Sequence, residues 1–109
     1  MGKASTERRR HKRHEAAYPV TVFDASGKVL ARTRTVNISR GGLLLRAPRE
    51  VAPAPKDTVE VDLSAPGSDA RVAEFFCQAQ VVRHQPIDSP GHVGVALEFT
   101  HPLPLRLGD

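Results

Sequence analysis

The sequence predicts an all-β protein, a six-stranded antiparallel β-barrel preceded by a flexible basic N-terminal segment. The chain of 109 residues contains nine prolines and eight glycines, which favours frequent turns over long helices. Apolar side chains recur at every second position in several short runs, and this period is typical of strands with one buried face. Short connections make neighbouring strands antiparallel, and closure into a barrel removes exposed strand edges.

Three strands are predicted in the first half of the chain, over residues 18–23, 29–39 and 41–47. In the first of them, Tyr18, Val20 and Val22 share one face. The turn-forming sequence ASGK then leads into the second strand, which is rich in β-branched residues and arginines. The third strand ends before Pro48, and the proline-containing sequence REVAPAPKD that follows is predicted to be a loop.

Three further strands are predicted over residues 58–63, 74–84 and 92–99. In the first of these, Val59, Val61 and Leu63 point inward and the carboxylates between them point outward. The inward residues of the other two strands are Phe75, Cys77, Ala79 and Val81, and then Val93, Val95, Leu97 and Phe99. The remaining C-terminal residues include two prolines and form a tail too short for a stable helix.

The positive charge of the chain is concentrated at its N-terminus. The net charge is +4, and residues 1–16 alone hold six Lys or Arg against two Glu, so the rest of the chain is close to neutral. This distribution predicts a local anion site rather than a general nucleic-acid-binding surface. We therefore divide the chain into a flexible basic tail, residues 1–16, and a barrel with a short C-terminal tail, residues 17–109.

Two short motifs carry the chemistry that suggests a ligand. The first, RRRHKR at residues 8–13, supplies guanidinium groups, which bind phosphate oxygens in pairs and stack on nucleobases. In the second, Asn37 and Ser39 are two residues apart on a strand and so share a face. Gly41 and Gly42 then allow a turn whose N–H groups suit an anion. Together these groups are suited to reading a base edge or a phosphate.

These motifs, in this order, resemble the signature of PilZ domains, Arg-x-x-x-Arg followed by Asn/Asp-x-Ser-x-x-Gly. The first motif has a single register here, because within the cluster only Arg9 lies four residues before Arg13. The later sequence VGVALEF looks like the closing strand of the family, and the resemblance covers roughly residues 7–99. Members often carry a helix after the barrel, and in this chain that helix is missing or reduced to a stub.

The resemblance implies binding of the bacterial second messenger cyclic di-GMP. In the family, the arginine segment clamps the phosphates and stacks on guanine, while the second motif contacts a guanine from the barrel side. The ligand-binding residues implied here are Arg9 and Arg13 in the clamp, Asn37, Ser39 and Gly42 on the barrel, and Arg8 and Arg10 as extra contacts. We expect residues 7–15 to order onto the barrel on binding, and the signal to pass to a separate protein partner of unknown identity.

Other interpretations remain open at this stage. The arginines could be a solvated tail, and the second motif could be turn chemistry with a glycine bulge. The alternative function is a ligand-independent protein–protein interaction module on the same barrel. A third interpretation is non-specific nucleic-acid binding by the basic tail, and it is disfavoured because the tail has no aromatic side chain on which bases could stack. No specific nucleic-acid partner is expected.

Several further classes are excluded by composition. A single cysteine, Cys77, permits no internal disulfide and fits a reducing compartment, so we expect a cytoplasmic protein. No apolar run approaches the roughly 20 residues of a membrane span. His11 and His14 lack further ligands at metal-binding spacing, so neither a metal nor a cofactor is expected. No catalytic set is visible, and we do not expect an enzyme.

Overall fold

Residues 12–107 are described by a computed structural model and form seven strands. The strands are β1 (His14–Glu15), β2 (Pro19–Phe23), β3 (Val29–Ser39), β4 (Gly42–Pro48), β5 (Thr58–Pro66), β6 (Val72–Gln85) and β7 (His92–Phe99). A short 3-10 turn, Arg49–Val51, lies between β4 and β5. Within this part of the chain, no helix is long and apolar enough to cross a membrane.

The strands form one closed antiparallel sheet. Six of them follow the order β3-β2-β5-β6-β7-β4, and pairing of β4 with β3 closes the ring. The predicted six-stranded antiparallel barrel is therefore confirmed. The additional strand, β1, pairs with the C-terminal end of β3. It lies on the same edge of β3 that pairs with β2 nearer the start of that strand. Residues 14 and 15, which belong to the basic segment by sequence, thus lie on the barrel.

The barrel interior is filled by the side chains that the period-two pattern places inward. The most deeply buried are Ile38, Leu43, Leu45, Leu63, Leu105, Val22, Val59, Val61, Val81 and Val95. The predicted inward residues Ala79 and Val81 are fully buried, whereas Phe75 and Cys77 are only partly buried because this part of β6 extends beyond β7. One apolar core thus spans the whole barrel.

A bulge in β3 decides which face carries Asn37. Thr35 opposes Leu45 on β4, but Asn37 opposes the adjacent Leu44, so β3 holds one extra residue at Val36. A bulge of this kind shifts the alternation of side chains by one position. Thr35, which precedes the bulge, and Ile38, which follows it, are therefore both buried. The Asn37 side chain lies on the outer surface and is half-buried.

The C-terminal segment, residues 100–107, closes one end of the barrel and does not form a helix. Leu105 is only 1% exposed and packs in the core, so the short C-terminal tail predicted from the sequence is packed as a plug. It forms a bridge with Gly67 and is held by a hydrogen bond from the Arg106 N–H to the Pro66 carbonyl oxygen at 2.9 Å. The two prolines of this region prevent a helix, but they do not prevent an extended segment from packing.

Candidate ligand-binding site

The two sequence motifs meet on the outer surface of the barrel. β1 pairs with the end of β3, with Glu15 opposite Asn37. One residue before β1, the Arg13 guanidinium donates a hydrogen bond from Nη1 to Asn37 Oδ1 at 2.7 Å, across 24 residues of sequence. Both side chains are half-buried. A permanent positive charge and an amide are therefore held together at one place on the barrel.

Thr35 fastens the basic segment to the barrel. Its hydroxyl accepts a hydrogen bond from the Tyr18 N–H at 2.9 Å and donates one to the Ala16 carbonyl oxygen. Its own N–H donates to the Tyr18 carbonyl oxygen at 2.9 Å. The backbone between β1 and β2 is thus bonded to a buried side chain, which fixes where Arg13 enters the site. Sequence reasoning missed Thr35, because a threonine in a β-branched strand carries no signal of this role.

Replacing Thr35 with valine should lower the free energy of unfolding by about 1–2 kcal/mol, because an N–H and a carbonyl oxygen lose their partner while the shape is kept. Urea denaturation of the purified chain measures the effect. Thr33→Val is the matched control, since within residues 12–107 the Thr33 hydroxyl makes no hydrogen bond. Equal losses for the two variants would contradict the role given to Thr35.

Ser39 is committed to the turn between β3 and β4. It is buried, and its Oγ accepts hydrogen bonds from the N–H groups of Gly41 and Gly42, each at 3.2 Å. The hydroxyl also lies 3.3 Å from the Gly42 carbonyl oxygen, to which it donates. The expectation that these two N–H groups are available to an anion therefore does not hold in this structure. A direct contact of Ser39 with a ligand stays a prediction.

Gly42 is required by close packing of β4 against β7. A Cβ built on Gly42 would lie 2.1 Å from the Leu97 carbonyl oxygen and 3.2 Å from Glu98 Cα. Both atoms belong to the backbone and cannot move aside without displacing a strand. The glycine of the second motif thus has a structural reason that needs no ligand, and its predicted contact with one remains a separate question.

A buried apolar row adjoins Asn37 on the outer side of β4 and β7. Asn37 opposes Leu44 on β4, and Leu44 opposes Ala96 on β7. Leu44 is 4% exposed and Ala96 2%, yet neither belongs to the core cluster inside the barrel. Arg83 on β6 opposes Ala96 at the far end of this row. The uninterrupted Leu43–Leu45 run was the available sequence signal, because a strand with one buried face should alternate.

Arg40, inside the second motif, connects the motif turn to the C-terminal plug. Its Nε donates to the Leu105 carbonyl oxygen at 3.1 Å, and its carbonyl oxygen accepts from the Leu103 N–H at 2.8 Å. The next residue, Gly41, accepts a hydrogen bond from the Phe99 N–H at 2.8 Å. A displacement of this turn would therefore be transmitted directly to the segment that closes the barrel.

Three of the predicted ligand-binding residues, Arg8, Arg9 and Arg10, lie outside the described residues, as does His11. Of the others, the structure brings Arg13 and Asn37 into contact and places Ser39 and Gly42 in the adjoining turn. Residues 12–107 contain no group of three or more His, Cys, Asp or Glu side chains that could hold a metal ion.

The candidate residues do not line the groove beside the β2–β3 turn. This groove, of about 850 Å³, lies between the β2–β3 turn and the loop before β5, and Val29, Val51 and Asp57 are among its lining residues.

Cys77 lies apart from the site and has the properties of a packing residue. Burial raises the pKa of its thiol to about 11, and the negative charge of Glu60 adds to the shift. Because the thiolate is the reactive form, we expect very slow alkylation by iodoacetamide at neutral pH and fast alkylation after denaturation in urea. Mass spectrometry of timed samples measures both rates, and equal rates in the folded and unfolded chain would contradict the expectation.

Comparison with known proteins identifies the family to which the chain belongs. The family model described as PilZ domain matches residues 7–107. No curated protein sequence matches the chain. Among solved structures, the chain is similar to the Bacillus subtilis inhibitor of motility, MotI/DgrA, with a TM-score of 0.72 and 18% identity. That match covers 86% of this chain and only 43% of MotI/DgrA, so the chain spans less than half of that protein.

A second similar structure is the PilZ domain of YcgR from Escherichia coli with c-di-GMP. The TM-score is 0.58 and the identity 18%, over 85% of this chain and 78% of that one. At this identity the two structures establish a shared fold.

Proposed function

The chain belongs to the PilZ domain family, and from this premise we propose that it binds cyclic di-GMP as a second-messenger receptor and signals to a separate protein partner. It is proposed as a binding protein without catalytic activity. The proposal includes the cytoplasmic location expected of a chain with one cysteine. The related YcgR domain holds c-di-GMP, which makes this ligand the first to test.

The contact between Arg13 and Asn37 is the observation that supports the proposal most strongly. It joins the last arginine of the first motif to the first residue of the second, through a 2.7 Å hydrogen bond. A guanidinium group beside an amide offers charge for a phosphate and directional hydrogen bonds for a base edge. Each motif alone has an ordinary structural explanation, but their convergence on one outer face favours a shared ligand.

A buried apolar row lies next to Asn37. Leu44 opposes Asn37 and Ala96 opposes Leu44, and both side chains are almost fully buried. The edge of a guanine base would meet Asn37, and its face would reach Leu44 only if that side chain became uncovered on binding. Arg8, Arg9 and Arg10 would then cover the ligand from the side of the solvent, with Arg9 and Arg13 on the phosphates. The ordering of the segment on binding is part of the proposal.

The bonds of Arg40 suggest how binding would reach a partner. Ligand contact at Ser39 or Gly42 would strain the turn, and this turn holds the C-terminal plug through Leu105. A partner that recognises the plug or its surroundings would then distinguish the free protein from the bound one. The identity of that partner is not specified by these contacts.

Isothermal titration of the purified chain with cyclic di-GMP tests the proposal, with GTP and GMP as controls. We expect selective binding in the micromolar range or tighter, with affinity that falls as salt is added because the arginines act through charge. The fitted stoichiometry distinguishes one ligand per chain from two. Absence of heat, together with an unchanged melting temperature, would overturn the proposal and favour the ligand-independent interaction module.

A further inference from the structure

The long strand β6 has a stretch along which only one edge is paired within the described residues. Residues 72–80 pair with β5 along one edge of the strand, but β7 pairs only with residues 79–85 along the other. Within residues 12–107, no strand pairs with the second edge of β6 between residues 72 and 78. The hairpin of β5 and β6 therefore extends beyond the part of the barrel that β7 closes, and no described strand pairs with this edge of β6.

The direction of the backbone groups on this edge follows from its neighbours. The Gln78 carbonyl oxygen accepts from the Thr100 N–H at 2.9 Å, on the side away from β5, whereas the Val81 N–H donates to the Asp57 carbonyl oxygen at 2.9 Å, on the side of β5. Backbone groups alternate along a strand, so those of Val72, Glu74 and Phe76 also point away from β5. They form a row of hydrogen-bonding groups without a partner in the described chain.

The side chains on the same stretch are unusually apolar for an exposed surface. Val72 is 75% exposed and Phe76 72%, and Glu74 stands between them on the outer face. Isolated exposed apolar residues are common, but here they coincide with unpaired backbone groups. An edge of this kind is a template for another strand.

We propose that residues 72–76 of β6 form a docking edge for an extended segment of a partner protein that carries an apolar, a basic and an apolar residue at alternate positions. The backbone groups would extend the sheet by one strand, and the apolar side chains of the partner would pack against the exposed side chains of Val72 and Phe76. The basic residue would lie opposite Glu74. Opposite charges directly across two strands stabilise the pairing.

The central carboxylate decides against a second copy of the chain as the occupant. Pairing of two β6 edges about a twofold axis at Glu74 would set two glutamates directly opposite each other, which is destabilising. Moving the axis by one residue would place Glu74 opposite Phe76 of the other copy, and the charge would again lack a partner. Residues 1–16 do not fit either, because they hold no apolar–x–basic–x–apolar sequence.

The edge lies apart from the candidate ligand site. The row that runs from Asn37 through Leu44 and Ala96 meets β6 at Arg83, within the stretch that β7 covers and away from residues 72–76. The docking proposal therefore does not depend on cyclic di-GMP, and its test is made without that ligand.

The test uses two synthetic heptapeptides with capped ends and the ¹⁵N-labelled full chain. In the first peptide, Val, Lys and Val alternate with Thr, and in the second, Glu replaces Lys. We expect the lysine peptide to shift the amide resonances of Val72, Glu74 and Phe76, to slow their exchange with D₂O, and to bind about fivefold more tightly than the glutamate peptide at low salt.

Glu74→Lys should reverse the preference, so that the glutamate peptide becomes the tighter ligand. Glu50→Lys is the matched control, because it makes the same charge change at an exposed position in the distant 3-10 turn and should leave the preference as it was. The proposal is overturned if neither peptide affects residues 72–76, or if Glu74→Lys, with an intact barrel spectrum, keeps the original order. Self-association through this edge, seen as concentration-dependent shifts of the same amides without peptide, would overturn it as well.

Discussion

Replacing Arg13 with alanine is expected to weaken cyclic di-GMP binding by about 2 kcal/mol or more, roughly thirtyfold in Kd. The change removes a permanent charge that the structure holds against Asn37, 2.7 Å from its Oδ1. Charge-assisted contacts to phosphate are roughly twice as strong as neutral ones, so a neutral contact would replace only part of what is lost. Arg13→Lys should recover only part of the affinity, because it keeps the charge and loses the planar, two-point geometry. Isothermal titration at one fixed salt concentration gives all three constants.

The matched control for Arg13 is Arg32→Ala. Arg32 is an exposed arginine on β3, opposite Thr21 of β2, so its removal makes the same change in net charge away from Asn37. A loss of affinity confined to Arg13→Ala indicates a specific contact. Equal losses in the two variants would mean that only overall charge matters, and wild-type affinity in Arg13→Ala would end the proposed clamp. Arg9→Ala is expected to behave like Arg13→Ala.

Replacing Gly42 with alanine is expected to destabilise the fold by about 3 kcal/mol or more, at the upper end of what overpacking costs. The new Cβ would sit 2.1 Å from the Leu97 carbonyl oxygen, so β4 and β7 would have to separate. Because closure of the barrel depends on the pairing of these strands, the cost cannot be absorbed by one side chain. Urea denaturation of the purified variant, monitored by circular dichroism, measures the loss.

Gly27→Ala provides a contrast that separates two reasons for a glycine. Gly27 has a φ of +89°, and a Cβ added there would have nothing within 4 Å, so alanine should cost only about 1–2 kcal/mol from backbone strain. A smaller loss for Gly42→Ala than for Gly27→Ala would contradict the close-packing argument. The result also bears on ligand binding: if Gly42→Ala unfolds the barrel, its failure to bind says nothing about a contact between Gly42 and the ligand.

The strands and the inward face of most of them could be predicted from the sequence. Alternation in residues 58–63 correctly placed Val59, Val61 and Leu63 in the core, where each is fully buried. This works because the period of a strand is a local property, and burial of one face selects for it along the chain itself. The two motifs could likewise be recognised in the sequence, because the residues of each motif are close together along the chain. Their order and spacing were sufficient to suggest the family.

The site was predicted less completely, because its geometry depends on contacts between distant parts of the chain. The bulge at Val36, which turns Asn37 outward, arises from the pairing of β3 with β4 and leaves no mark in the residue pattern. Thr35 and Arg40 act by bonding to backbone atoms far away in sequence, at Ala16 and Leu105. Neither partner can be identified before the chain is folded.

By itself, the sequence determined the fold class, the strand positions and the two motifs that point to a nucleotide ligand, since these rest on local periodicity and residue chemistry. Only the tertiary structure decided that Arg13 meets Asn37, that Ser39 bonds its own turn, and that the C-terminal segment is a plug. Among residues 12–107, the tertiary structure also left residues 72–78 of β6 with no strand paired along one edge. The physical reason is the same throughout: register, closure and edge exposure are properties of how strands pair, and pairing is fixed by contacts across the whole barrel.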